Sequence, residues 1–181
     1  MDVVVNHLDR DGNVKSTFTK PCDSFNYNFM RFLCNSIGAS ALYNFVDTGN
    51  VSRSISPGGI MQVINTSPGN TTYGIRVGTD GTASAPTDYN LLAMVPQGMG
   101  DNQLICGGMP LPTVDILVNT IKLHIRRTFI NAGTVSITMR ELDLVATPGG
   151  YAIEILRDAI SDQVIPSLDG VAIEIVIQVT V

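Results

Sequence analysis

The sequence predicts an all-β protein: an antiparallel β-sandwich, jelly-roll-like or immunoglobulin-like, with one N-terminal amphipathic helix. Three observations predict it. Residues 121–129, 135–139 and 171–181 alternate apolar with polar side chains, the period of a strand with one buried and one wet face. Clusters of Gly, Pro, Asn and Asp punctuate the chain about every ten residues, as in sandwiches and barrels. Helical periodicity is convincing only in residues 25–37.

The elements follow in order. Residues 3–8 and 14–19 read as two strands joined by the turn Asp9-Arg10-Asp11-Gly12-Asn13, and Lys20-Pro21 ends the hairpin. Asp23 or Ser24 is placed to cap a helix over 25–37, and Gly38 to close it. Phe25, Phe29, Phe32, Leu33 and Ile37 share one face of that helix, which suits plugging one side or end of a sheet; docking on a neighbouring subunit is the other reading. Tyr43, Phe45 and Val46 suggest a short strand, residues 52–59 a loop, and 60–65 and 73–77 two further strands around the turn Ser67-Pro68-Gly69-Asn70. Residues 78–88 and 98–108 read as loops, the second holding a short apolar piece at Leu104-Ile105.

From residue 115 the pattern sharpens. Ile121, Leu123, Ile125 and Phe129 are expected inside, with Lys122, His124, Arg126 and Thr128 outside. Asn131-Ala132-Gly133 is a turn. Val135, Ile137 and Met139 continue one apolar parity, but Leu142 and Leu144 occupy the other, which predicts a β-bulge near Glu141. Pro148-Gly149-Gly150 turns the chain into 151–157, and the last strand alternates from Val171 to the end. The expected organisation is one domain over 1–181: a hairpin in 1–22, a helical segment in 23–38 and the main sandwich in 55–181.

Composition narrows the function. Of 181 residues, 44% are hydrophobic and only 15% charged, against roughly 25% for a typical soluble domain. So lean a surface suggests cover by partners. The net charge of −5 and the absence of a Lys/Arg run argue against direct nucleic-acid binding. Arg126 and Arg127 read as one exposed and one semi-buried strand residue. Cys22, Cys34 and Cys106 are odd in number and have no CxxC spacing, which suits reduced thiols rather than a disulfide framework or a zinc site. No signal peptide and no apolar run of membrane length is read in the sequence.

No catalytic, cofactor-binding or metal-ligating constellation is expected. His7 lies near the first hairpin, and His124 reads as a solvated strand residue. The stretch Gly78-Thr79-Asp80-Gly81-Thr82 lacks the Lys and spacing of a phosphate loop. Asp80, Asp88 and Asp101 read as turn formers rather than calcium ligands. Glu141 alone falls at an inward or bulged position, where a carboxylate needs a partner. Arg76, Arg127 and Arg157 are the candidates, and Glu141 with Arg127 is the expected structural lock. Gly78, Asp80, Gly81, Pro86, Asp88 and Tyr89 are the expected assembly-loop residues.

Two segments carry a resemblance. One runs from Gly74-Ile75-Arg76-Val77-Gly78-Thr79 through Ala85-Pro86-Thr87-Asp88-Tyr89-Asn90-Leu91-Leu92. The other holds residues 121–129, Asn131-Ala132-Gly133, Ile137-Thr138-Met139-Arg140-Glu141-Leu142-Asp143-Leu144, Leu156-Arg157-Asp158 and the last strand. In that order they resemble small β-rich virion proteins of tailed bacteriophages, whose pattern is VGTG, P-x-x-x-D-Y-x-L, R-T-F-x-N-x-G, R-E-x-x-L and L-R-D. The resemblance covers about half the chain. It departs at Val77-Gly78-Thr79-Asp80, where such proteins have VGTG, and at Asp143, where they often carry Gly.

The resemblance implies a virion structural component assembled in the host cytoplasm, with no catalytic residues. A capsid-decorating or head-fibre-anchoring protein is the first expectation; a neck, tail or baseplate component is the second. The implied partners are its own copies, as a trimer or higher oligomer, and other virion proteins. A receptor- or carbohydrate-binding sandwich is the alternative from another class, weakened by the absence of Trp. An enzyme such as a virion hydrolase has no supporting motif.

Overall fold

A computed structural model describes residues 1–21, 25–36, 44–55 and 66–180, without the side chains of 32–36 and Asn44. The expectations for Cys22, the caps at Asp23, Ser24 and Gly38, the Cys34 side chain, and the strand over 60–65 lie outside the described residues.

The chain is all-β and antiparallel. Its first hairpin is β1 (Asp2–Leu8) and β2 (Val14–Pro21). Asp9 ties the turn by accepting from the backbone N–H of Asp11 and Asn13, and Gly12 takes φ +86°. The single described α-helix is α1 (Tyr27–Ser36). Asn26 caps it: its Oδ1 accepts from the N–H of Asn28 at 3.0 Å and of Phe29 at 3.3 Å. Phe25 lies ahead of the helix, bridged to Leu156 and stacked on Phe29 at 3.8 Å. Next come β3 (Asn44–Val46) and β4 (Ser52–Ser54), which pair with each other, so the loop expected over 52–59 begins with a strand.

The strands β5 (Gly74–Gly78), β6 (Ile105–Cys106), β7 (Thr113–Leu117), β8 (Thr120–Ile130), β9 (Ile137–Ala146), β10 (Ile153–Ile165) and β11 (Gly170–Thr180) complete the two main sheets. The larger has the order β2-β1-β11-β8-β6, with β7 beside β8; the smaller is β10-β9-β5. The N-terminal hairpin is therefore built into the main sheet, through a seven-residue register from Asp2↔Val176 to Leu8↔Gly170. Pairing is nested: β9 pairs β10, while β8 pairs β11 around them.

One apolar cluster joins the sheets. Val3, Val5, Ile125, Phe129, Ile173 and Ile175 from the larger meet Ile75, Val77, Leu142, Leu144 and Leu156 from the smaller. The irregularity expected near Glu141 is present, with its extra residues on the partner strand. The strand is continuous through Glu141, and the irregularity lies in β10, where Ala159↔Glu141 is followed by Gln163↔Met139. Beyond Arg140 the strand is buried on both faces: Leu142 and Leu144 face the core, and Glu141 and Asp143 face the other way.

Two expectations for β8 are corrected. Ile121 is 52% exposed, because the larger sheet runs beyond its apolar cover at that end. Arg127 is fully buried rather than semi-buried, because its polar atoms find main-chain acceptors.

Candidate functional site

The outer face of the smaller sheet holds five charged residues. In register, Gly78 faces Glu141 and Arg76 faces Asp143 across β5–β9, while Asp143 faces Arg157 across β9–β10. Strand alternation puts Arg76, Glu141, Asp143 and Arg157 on one face. Glu154 joins them opposite Val145, one bulge before Leu156. All five are buried.

The guanidiniums pair two of the three carboxyl groups, Asp143 and Glu141. Arg76 donates from Nε to Asp143 Oδ1 at 3.0 Å and from Nη2 to Asp143 Oδ2, and reaches Asn90 Oδ1 at 2.8 Å. Arg157 donates from Nε to Glu141 Oε2 at 2.9 Å, from Nη1 to Asp88 Oδ2 at 2.8 Å and from Nη2 to the Thr82 carbonyl at 3.2 Å. Burial works against charge on both guanidiniums, but their carboxylate partners outweigh it and hold both above the ordinary arginine pKa.

A loop covers this face. Its ends meet where Thr79 N–H donates to the Ala93 carbonyl at 2.9 Å, the closed neck of an Ω-loop. Glu141 holds it from below, accepting from Ala93 N–H at 2.8 Å and Leu92 N–H at 3.2 Å. The start of α1 closes one side. Asn26 donates to the carbonyls of Glu154 at 2.8 Å and Asp88 at 3.2 Å, and Tyr27 N–H donates to the Pro86 carbonyl at 2.9 Å. The loop thus reaches sheet and helix through charged or main-chain groups, each hydrogen-bonded to the next.

Glu154 is the unusual member. Burial, then the Asp143 charge and a hydrogen bond with Asp143, raise its pKa to about 9. A shift in that direction favours the neutral acid. Its Oε1 accepts from Asn26 Nδ2 at 3.3 Å, whereas Oε2 is buried without a hydrogen-bond partner among the described residues.

The expected site residues divide. Glu141 is paired, but with Arg157, not Arg127. Arg127 instead donates to the carbonyls of Gly107 at 2.9 Å, Ile75 at 2.7 Å and Asn70, with its guanidinium over the Phe129 ring. Gly78 and Asp88, expected in a free assembly loop, are used internally. Gly78 is buried beneath Glu141, and Asp88 bonds Arg157. Asp80, Gly81, Pro86 and Tyr89 lie in the cover loop, Gly81 and Pro86 exposed, and Asp80 and Tyr89 half-buried. Sequence reasoning missed Asp143, Glu154 and Asn26. An acid alternating with Leu in a strand looks the same whether its face meets water or arginine.

The larger sheet has its own polar cluster on its outer face. His124, expected to be solvated, is half-buried; Nδ1 bonds Glu174 at 2.5 Å and Nε2 bonds Asp115 at 3.1 Å. Burial pushes Glu174 up, but hydrogen bonds from His124 and Arg126 outweigh it and lower its pKa. Nearby, a groove of about 380 Å³ is lined by Asn6, Arg126, Thr128 and Glu174 among others. Cys106 is a buried free thiol whose pKa burial pushes up.

The other end of the larger sheet is apolar and uncovered. Val114, Ile116, Ile121 and Val179 are each more than half exposed, and Val118 at the β7–β8 turn is fully so. No protein-family model, no curated protein and no solved structure matches this chain.

Proposed function

We propose that this chain is a structural component of a tailed-bacteriophage particle, a capsid-decorating or head-associated protein that works by protein–protein contact in the virion after assembly in the host cytoplasm. The uncovered apolar end of the larger sheet carries the contact part of this reading. Exposed apolar surface of this kind marks interaction sites. The low charge content and the clamped cover loop, which offers neighbours a fixed outline, fit the same role. The phage assignment rests on the ordered motifs around Gly78, Asn131, Glu141 and Arg157. The nested pairing of β8–β11 around β9–β10 favours a jelly-roll-like sandwich over an immunoglobulin-like one. Electron microscopy of the purified protein, alone and with phage particles, tests the reading. Density on a head supports it, density on a neck, tail or baseplate moves it there, and absence from particles overturns it.

The groove beside Asn6, Arg126 and Glu174 favours one second reading, a carbohydrate- or receptor-binding module, since its amide, guanidinium and carboxylate can bond hydroxyls. Glycan-array binding abolished by Glu174→Ala would replace the first proposal with this one.

A further inference from the structure

We infer that the uncovered end of the larger sheet is a self-association face, and that its occupant is the same face of a second copy of this chain. The inference rests on the protein-contact reading above and names the partner.

The face is an extension of the core. Val3, Ile175 and Ile125 form one cross-strand row and are buried. The next row along the same side is Ile177, Leu123 and Val114, and the last is Val179, Ile121 and Ile116. Exposure rises along β11 from 0% at Ile175 to 59% at Val179, and along β8 from 2% at Ile125 to 52% at Ile121. The side chains keep their parity, so what changes is the cover. The opposite side of the same strands carries Asp115, Lys122, His124, Gln178 and Thr180. The alternation therefore treats the last two rows as an inside face, although the described part of this chain leaves them open.

A second copy matches what this face lacks. Twisted sheets cover one another face to face at a spacing of about 10 Å, and the partner's equivalent rows are such a sheet, of the same width and apolar character. With a net charge of −5, two copies repel wherever like charges meet, but the two open rows contain no charged residue. The exposed apolar surface is on the order of a few hundred Å² per copy. Two such faces with their rims come to roughly 1,000 Å², the threshold of a specific interface. A face that packs on its own equivalent closes with two-fold symmetry. The trimer or higher oligomer expected from the sequence would then have to use another surface.

Sedimentation velocity on the full chain over a rising concentration series tests this. Wild type should show a reversible monomer–dimer equilibrium. Ile116→Lys/Ile121→Lys should weaken it at least about tenfold, while Thr180→Lys on the opposite side should leave it nearly unchanged. Both replaced isoleucines are more than half exposed, so the double variant should melt close to wild type. A monomeric wild type at the highest soluble concentration, or an equally dimeric double variant, overturns the inference. If wild type is monomeric yet binds particles and the double variant does not, another virion protein covers the face; the second copy is then excluded while the contact reading stands. A dimer that never joins particles would support the inference and remove the virion reading.

Discussion

Asn26 Nδ2 donates to Glu154 Oε1 at 3.3 Å, and the Glu154 carboxyl so held is buried and binds its proton more tightly than it would in water. Burial and the Asp143 charge raise Glu154 to about 9 from an ordinary 4.5. The folded state binds this proton where the unfolded chain has released it. The contribution of this group to stability therefore falls as pH rises from about 4.5 to about 9 and is constant on either side. One proton sets a limiting slope of about 1.4 kcal/mol per pH unit. Urea unfolding across that window should show the fall, and Glu154→Gln, which mimics the protonated acid, should remove it. An equal slope in the variant would place the proton elsewhere. Asp47 acts in the opposite direction. A hydrogen bond from Val51 N–H, then Arg53, lowers its pKa, so its contribution is lost only in acid, as pH falls below the ordinary 3.8.

The pairing of Glu141 with Arg157 makes a second prediction. Both are essentially inaccessible, so removing one partner leaves a buried charge. Arg157→Met should cost about 3–5 kcal/mol, because Glu141 keeps only the Leu92 and Ala93 N–H groups. Glu141→Gln should cost less, since Arg157 keeps Asp88. The double variant should be more stable than the sum of the single losses predicts. Chemical denaturation of the four proteins gives the coupling energy, and strict additivity would show that the two side chains do not act together.

The all-β class was legible because alternation in β8, β9 and β11 is a local signal that survives without tertiary knowledge. Glu141 was legible as a residue needing a partner because it stood where the apolar parity changed. Its partner was not. Arg76, Arg127 and Arg157 all sit in strands, and only the register of β5 and β10 on β9 decides among them. Arg127 looked equivalent on charge, yet its strand lies in the other sheet. The bulge expected near Glu141 was legible in place but not in strand: alternation in β9 reports where the faces change, whereas the extra residues lie on β10. Ile121 failed for the converse reason: a strand can keep its apolar parity beyond the reach of its own core.

Gly78 shows how closely the cover loop sits on the sheet. A Cβ there would lie 2.2 Å from Glu141 Oε1 and 2.7 Å from the Ala93 carbonyl. The main-chain oxygen cannot rotate away, and Glu141 is held by Arg157. Gly78→Ala should therefore displace the neck of the loop and destabilise by about 1–3 kcal/mol. Limited proteolysis should detect faster cleavage within residues 79–93. Gly81→Ala, where a Cβ meets only the flexible Arg140 side chain at 3.4 Å, is the control and should leave cleavage unchanged. Equal behaviour of the two variants would argue against a clamped loop.

Asn26 couples the helix to the charged face, and its two ends do different work. Oδ1 caps α1 through Asn28 and Phe29, while Nδ2 donates to the carbonyls of Asp88 and Glu154. Asn26→Ala should lose both functions, at about 1–2 kcal/mol for the cap and a further 1–3 kcal/mol for acceptors left without a donor in a buried site. Asn26→Asp separates them. Its carboxylate still caps the helix, but it cannot donate and adds negative charge beside Glu154 and Asp88. Hydrogen exchange at Asn28 and Phe29 should stay slow in Asn26→Asp and become fast in Asn26→Ala. Thermal stability should fall in both, and in Asn26→Asp it should fall further as pH rises, because the new carboxylate ionises next to carboxyl groups that are already crowded. A stable Asn26→Asp variant with no added pH dependence would mean that the donor end is unimportant and that the helix is held by its cap alone.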